Sequence, residues 1–269
     1  MTRVLSGAAL VVLAIAVVWF STPLIFFVAG EALLVLAFVE YLSLARGHHL
    51  DVPAWPAGAA DALACATLSR AALGGATWVA LDVVLLTAVI ALGALSLPRW
   101  RGGADALPQV AAAVLPILYI GLPIGSLIAV REMRGPEGLF LLMLTVMVSD
   151  SAQYYSGRMF GRRPLAPAIS PKKTIEGAIG GFIFGTLVLA IVGHWWLPSV
   201  PLAIRAVLGA AIVALGIAGD LFESMLKRSA GVKDSSSLIP GHVGVLDRID
   251  ALLFSSAAAF FALLALGRA

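Results

Sequence analysis

Apolar runs of roughly 20 residues follow one another along the whole sequence, and this is the length at which a helix crosses a bilayer. A backbone inside hydrocarbon must satisfy its own N–H and C=O groups, so only helices and closed barrels qualify. The runs are continuous rather than alternating, which favours helices. Composition agrees. Of the 269 residues 61 % are hydrophobic and 12 % charged, and mean hydropathy is +1.00, against about 25 % charged in a soluble domain. No polar gap is long enough to hold a soluble domain. Cys65 is the only cysteine, so no intramolecular disulfide is possible. The predicted fold class is all-α, a polytopic integral membrane helix bundle with about nine transmembrane helices.

The nine runs cover 4–20, 24–45, 57–74, 75–97, 107–130, 137–155, 174–196, 202–226 and 245–266. The first, behind Arg3, has a length compatible with a secretory signal. No clear small-residue cleavage site separates it from the second, so it is read as a retained helix. The third and fourth runs are parted only by Gly74-Gly75. Pro116 and Pro123 predict kinks in the fifth, and 131–136 reads as a short loop. If the runs alternate across the membrane, thirteen of the 18 Lys and Arg fall on the face holding the N-terminus and five on the other. By the positive-inside rule that face is cytoplasmic. The polar islands at 156–177 and 227–244 are two crossings apart and share it. The chain divides into scaffold helices at 1–136 and helices carrying the islands at 137–269.

The stretch 219–250 holds five of the chain's carboxylates, four of its cations and one of its four histidines. Ionisable groups beside lipid are costly and by default mark a functional site. Asp220, Glu223, Ser224 and Lys227 are spaced to form one stripe on a helix. Asp247 and Asp250 share a face at the start of the next helix. Two helices joined by a loop are neighbours, so their acidic faces can converge at one end of a bundle. Carboxylates held together repel, and a divalent cation relieves this; oxygen-only ligands suit Mg²⁺ or Mn²⁺. No Cys/His cluster offers a zinc site. The alternative is that these acids only bond neighbouring helices or pair with Lys227, Arg228 and Arg248.

SPKKT at 170–174 reads as a turn opening into a helix. Its free N–H groups, with Lys172 and Lys173, can take up phosphate, although a Ser-Pro turn is also an ordinary helix start. Gly177, Gly181 and Gly185 form a stripe for close helix packing, which permits a homodimer without requiring one. Glu31 and Glu40 read as polar contacts between helices rather than as ligands.

From Ser224 onward the residues follow S-x-x-K-R-x(4)-K-D-x(4)-I-P-G-H-x-G-x-x-D-R-x-D, ending at Asp250. The lead-in is GD-x-x-ES at 219–224, and SPKKT-x-EG (170–177) and a D-S-x-x-Y segment from Asp150 lie upstream. This pattern resembles the signature of the phosphatidate cytidylyltransferases, or CDP-diacylglycerol synthases. The likeness covers roughly the second half of the chain. The departures are Val243 for a usual glycine, Ser235-Ser236 for a small pair, and Ala152-Gln153 before the tyrosine.

The resemblance implies cytidylyl transfer from CTP to phosphatidate, giving CDP-diacylglycerol and pyrophosphate in phospholipid biosynthesis. It implies a bacterial-type cytoplasmic (inner) membrane with the site facing the cytoplasm. The expected partners are CTP, phosphatidate and membrane lipids, with no nucleic acid. Mg²⁺ is the expected cofactor, as two divalent ions or together with K⁺. On this reading Asp220 and Asp247 are the first metal ligands, and Asp250 and Glu223 are ligands or their supports. Lys172, Lys173, Lys227, Arg228 and Lys233 hold phosphates, while Arg248 and His242 orient pyrophosphate or a carboxylate. Ser170, Thr174 and Ser224 help bind substrate, with Asp150 and Asp234 as supports. Three other readings stay open: another lipid-phosphate acceptor (an ether lipid or polyprenyl phosphate), a family member with only a structural role, and an ion-coupled transporter. A transporter predicts internal repeats with broken helices near the midplane. No convincing repeat is present, and the charges cluster on one face.

Overall fold

Thr22 and Pro23 separate the first two helices for a local reason. Pro23 is tolerated in a first turn, where its missing N–H is not needed, and Thr22 Oγ1 accepts the Ile25 N–H at 3.3 Å. The computed structural model describes residues 2–69, 80–102, 105–233, 235 and 244–266. Among them the helices are α1 Thr2–Phe20, α2 Pro23–Gly47, α3 Ala54–Thr67, α4 Leu81–Ser96 and α5 Ala106–Pro116. A π-turn at Ile117–Gly121 follows, then α6 Leu122–Phe160, α7 Ile175–Trp196, α8 Leu202–Ser229 and α9 Leu246–Leu266. The all-α expectation holds, with one small addition: strands β1 Pro164–Ala166 and β2 Ser170–Thr174 form an antiparallel hairpin. SPKKT is therefore a strand, not a turn. Only its last residue opens a helix, where Thr174 Oγ1 accepts the Gly177 N–H at 3.1 Å.

Five segments are long and apolar enough to cross a membrane: Pro23–Gly47, Ala106–Phe160, Ile175–Trp196, Leu202–Ser229 and Leu246–Leu266. Val11–Phe20 and Leu81–Ser96 are shorter apolar helices, and α3 is 14 residues long. The expected boundary at Gly74-Gly75 lies outside the described residues. Ala106–Phe160 merges two expected runs into one 55-residue segment. Its interruptions have chemical causes. The π-turn follows Pro116, which cannot donate to the helical ladder. Gly135, at φ 73° and ψ −179°, breaks the helix just before Pro136, because proline disfavours helical backbone in the residue it follows and glycine accepts positive φ. The loop expected at 131–136 shrinks to this single break.

This long segment is the axis of the bundle. Its most apolar window is 72 % buried, against 33–39 % for the other four. Ile117, Ile120, Ile124, Ile128, Leu141 and Leu142 are almost wholly enclosed. The glycine stripe on α7 packs against it: a Cβ on Gly181 would stand 2.9 Å from the Ser149 carbonyl oxygen, and one on Gly185 would stand 2.9 Å from Ser149 Cβ. These glycines serve contact within the chain. Buried hydroxyls tie helices to neighbouring carbonyls, as apolar packing alone gives little net drive in lipid. Ser255 donates to Ile212 (2.9 Å), Ser256 to Pro123 (3.0 Å) and Tyr41 to Ala112 (2.7 Å).

Candidate active site

Helices α8 and α9 cross most closely where glycine allows it. A side chain on Gly219 would put Cβ 2.6 Å from the Asp250 carbonyl oxygen. The crossing sets Asp220 of α8 beside Asp250 of α9, one helical turn from Asp247. The end of α6 adds Asp150, and β2 adds Lys172 and Lys173. Together these elements line a cavity of about 740 Å³. Seven cations border it (Arg158, Lys172, Lys173, Lys227, Arg228, Lys233 and Arg248), against four carboxylates (Asp150, Asp220, Asp247 and Asp250).

Two of the four cavity carboxylates are paired with lysines. Lys173 pairs with Asp220. Lys227 sits between two acids, 2.6 Å from Glu223 Oε2 and in contact with Asp247. Glu223 is fully buried and its Oε1 has no partner. Asp247 Oδ2 accepts the backbone N–H groups of Ser235 and Gly244, each at 3.0 Å. Gln153 Nε2 donates to Asp150 at 3.0 Å. Among the described residues no set of three acidic, histidine or cysteine side chains is already gathered around one metal position. Lys173 and Lys227 supply the positive charge beside Asp220, Glu223 and Asp247.

A second layer fixes the start of α9. Glu40, near the end of α2, is completely buried. It accepts the N–H groups of Val245 and Leu246, both at 2.8 Å, and so caps α9 from a distant part of the chain. Ser235 Oγ lies 2.8 Å from Glu40 and 2.9 Å from Asp247; its single proton serves one of them at a time. The hairpin is secured likewise. Glu176 accepts the N–H groups of Arg162 and Arg163 at 3.0 and 3.2 Å, and Arg228 Nε donates to the Ile169 carbonyl at 3.3 Å.

Of the residues singled out from sequence, Asp150, Lys172, Lys173, Thr174, Asp220, Ser224, Lys227, Arg228, Lys233, Asp247, Arg248 and Asp250 line this one cavity. Ser170 is not among the lining residues, and Glu223 lies behind Lys227 rather than on the wall. Asp234 and His242 are outside the described residues.

The sequence profile of the cytidylyltransferase family matches residues 1–266. The chain belongs to that family. Its relatives include the phosphatidate cytidylyltransferase of Haemophilus influenzae, 50 % identical over 133 residues (46 % of this chain, 45 % of the relative). That of Helicobacter pylori strain J99 is 39 % identical over 145 residues (54 % and 53 %). That of Thermotoga maritima is 34 % identical over 179 residues, or 65 % of each chain. The matched stretches thus span about half to two thirds of these curated relatives. In this cytidylyltransferase-family chain, sequence reasoning named Gln153 and Tyr154 only as motif positions and did not place them, or Arg158, in the cavity wall. Helical spacing would have found all three, since they lie three, four and eight residues after Asp150. Glu40 was placed between helices, but no local signal could name its partners 205 and 206 residues away.

Proposed function

We propose that this chain transfers the cytidylyl group of CTP to phosphatidate, releasing pyrophosphate and leaving CDP-diacylglycerol. One observation carries the reading: a cavity with seven cations and four carboxylates at the end of an apolar bundle. Such a wall suits a triphosphate, whose charge an excess of cations offsets. The acceptor is a phosphate monoester with a second pKa of about 6, so it is a nucleophile near neutral pH without a strong base. The obstacle is the approach of one polyanion to another, which makes alignment and charge neutralisation the main work.

Lys172 and Lys173 on β2, with Lys227, Arg228 and Lys233, hold phosphate oxygens. Arg248 and His242 guide the leaving pyrophosphate. Asp150 and Asp234 orient these cations, Thr174 and Ser224 supply hydroxyls at the border, and Ser170 supports substrate binding from the start of β2, the strand that carries the two lysines. Asp220, Asp247 and Asp250 form an all-oxygen donor set suited to Mg²⁺, with Glu223 as support behind them. That ion, alone, paired, or together with K⁺, supplies further charge neutralisation at the phosphates. The acceptor's acyl chains stay in the bilayer while its headgroup enters the cavity.

The membrane arrangement belongs to the same proposal: nine crossings, the N-terminal face in the cytoplasm of a bacterial-type inner membrane, 1–136 as scaffold and 137–269 as the catalytic region. The basic residues favour it, since thirteen of 18 fall on that face.

The test is to incubate purified protein with radiolabelled CTP, Mg²⁺ and a panel of lipid phosphates. Labelled CDP-diacylglycerol should form with phosphatidate, and Asp220→Asn should abolish it while the protein stays folded and inserted. Transfer only to an ether lipid or polyprenyl phosphate would change the acceptor. Full activity in Asp220→Asn would remove that residue from the ligand set.

A further inference from the structure

Ser235, one of the small pair that departs from the family pattern, lies between α8 and α9 and is 4 % exposed. Its N–H donates to Asp247 Oδ2 at 3.0 Å, and the Gly244 N–H donates to the same oxygen at 3.0 Å. A carboxylate oxygen has about two lone-pair sites, so these two amides fill Oδ2. The other oxygen, Oδ1, contacts Lys227. Lys227 lines the catalytic cavity with Asp247, whereas Ser235 and Gly244 are not among its lining residues. Asp247 therefore has one oxygen held behind the wall and one exchangeable oxygen on the cavity side.

The hydroxyl of Ser235 adds a second restraint. It lies 2.8 Å from Glu40 Oε2 and 2.9 Å from Asp247 Oδ2, so it stands between a carboxylate of the scaffold and a carboxylate of the cavity. Like charges this close repel, and Glu40 is fully buried. A donor between the two turns that repulsion into a link. The backbone leaves room for it: a Cβ on Gly244 would collide with both Ser235 Oγ and Glu40 Oε2. Glycine at 244 thus lets the hydroxyl and the amide of Ser235 reach the two acids together.

We propose that Ser235 is a positioning residue for cytidylyl transfer: its N–H and hydroxyl tie Asp247 to Glu40, so that Asp247 offers Oδ1 alone to the cavity and the start of α9 is held in place. The catalytic part of this inference rests on the proposed function; the tie itself does not.

Ser235→Ala in the purified full chain removes the hydroxyl and keeps the N–H. Steady-state transfer and amide hydrogen exchange, read by mass spectrometry, test the consequence. The kcat should fall about tenfold, as small displacements near reacting groups produce, with the KM for CTP little changed. Exchange in peptides covering 244–250 should quicken, while peptides covering 175–196 keep the wild-type rate. Ser235→Ala combined with Glu40→Gln should lose no more kcat than Glu40→Gln alone, because both break one link. Unchanged kcat, a raised KM at full kcat, wild-type exchange at 244–250, or losses that multiply in the double variant each overturn the proposal. If the wild type transfers to no lipid phosphate, the proposed function fails and exchange alone decides the tie: faster exchange at 244–250 supports it and wild-type exchange overturns it. If Ser235→Ala does not fold, Ser235→Cys replaces it, since a thiol is a weak donor; full kcat with wild-type exchange in that variant overturns the proposal as well.

Discussion

Lys227 shows how much one side chain can be asked to do. It is 8 % exposed and stands between Glu223, which is fully buried, and Asp247. Removing one partner of a buried ion pair strands the other charge, at a cost of about 3–5 kcal/mol. Lys227→Met should therefore destabilise the protein by about 3 kcal/mol or more, read as a lower unfolding midpoint in detergent. Adding Glu223→Gln to that variant should recover much of the stability and none of the cytidylyl transfer. If the double variant regains activity, the lysine serves only to neutralise Glu223. The stripe of Asp220, Glu223, Ser224 and Lys227 was legible as a stripe. Its inner and outer members were not, because four residues within two helical turns differ in depth only once α9 is packed beside them.

At the level of elements, the decisive object is the start of α9. Three residues of that helix, Asp247, Arg248 and Asp250, reach the cavity, and a carboxylate from α2 holds its first turn. Glu40→Gln leaves one carbonyl oxygen where two carboxylate oxygens receive three donors. The start of α9 should then shift, taking Asp247 with it. The expected outcome is a kcat lower by about tenfold or more, as small misplacements near reacting groups produce, with the chain still inserted; steady-state kinetics beside a folding assay check this. Gly244→Ala should be worse, since its Cβ would come within 2.4 Å of Glu40 Oε2. Helix limits were largely readable from sequence where apolar runs end abruptly: 174–196 became Ile175–Trp196 and 245–266 became Leu246–Leu266. The hairpin was not, because five residues are too few for a period and its pairing depends on β1. The single break at Gly135 also escaped, because a Gly-Pro pair signals a turn without saying how short it is.

For the whole molecule, the sequence placed two polar islands on one face, and the structure gathers residues from both around one cavity. Legibility was good here because topology needs only the parity of crossings, not their angles. The cation excess at the cavity has a kinetic consequence. Raising ionic strength should raise the KM for CTP, because screening weakens attraction of a polyanion from solution. The KM for a lipid acceptor already at the membrane should change less. Equal salt dependence for both substrates would show that long-range attraction plays no part.

The two lysines bound to Asp220 and Asp247 lead to one last expectation. With Asp220 and Asp247 each held by a lysine, the catalytic end draws its cohesion from its own side chains. Chelating divalent ions should therefore stop turnover and leave the unfolding temperature unchanged. A marked drop in that temperature would mean that the fold itself borrows its cohesion from a bound ion.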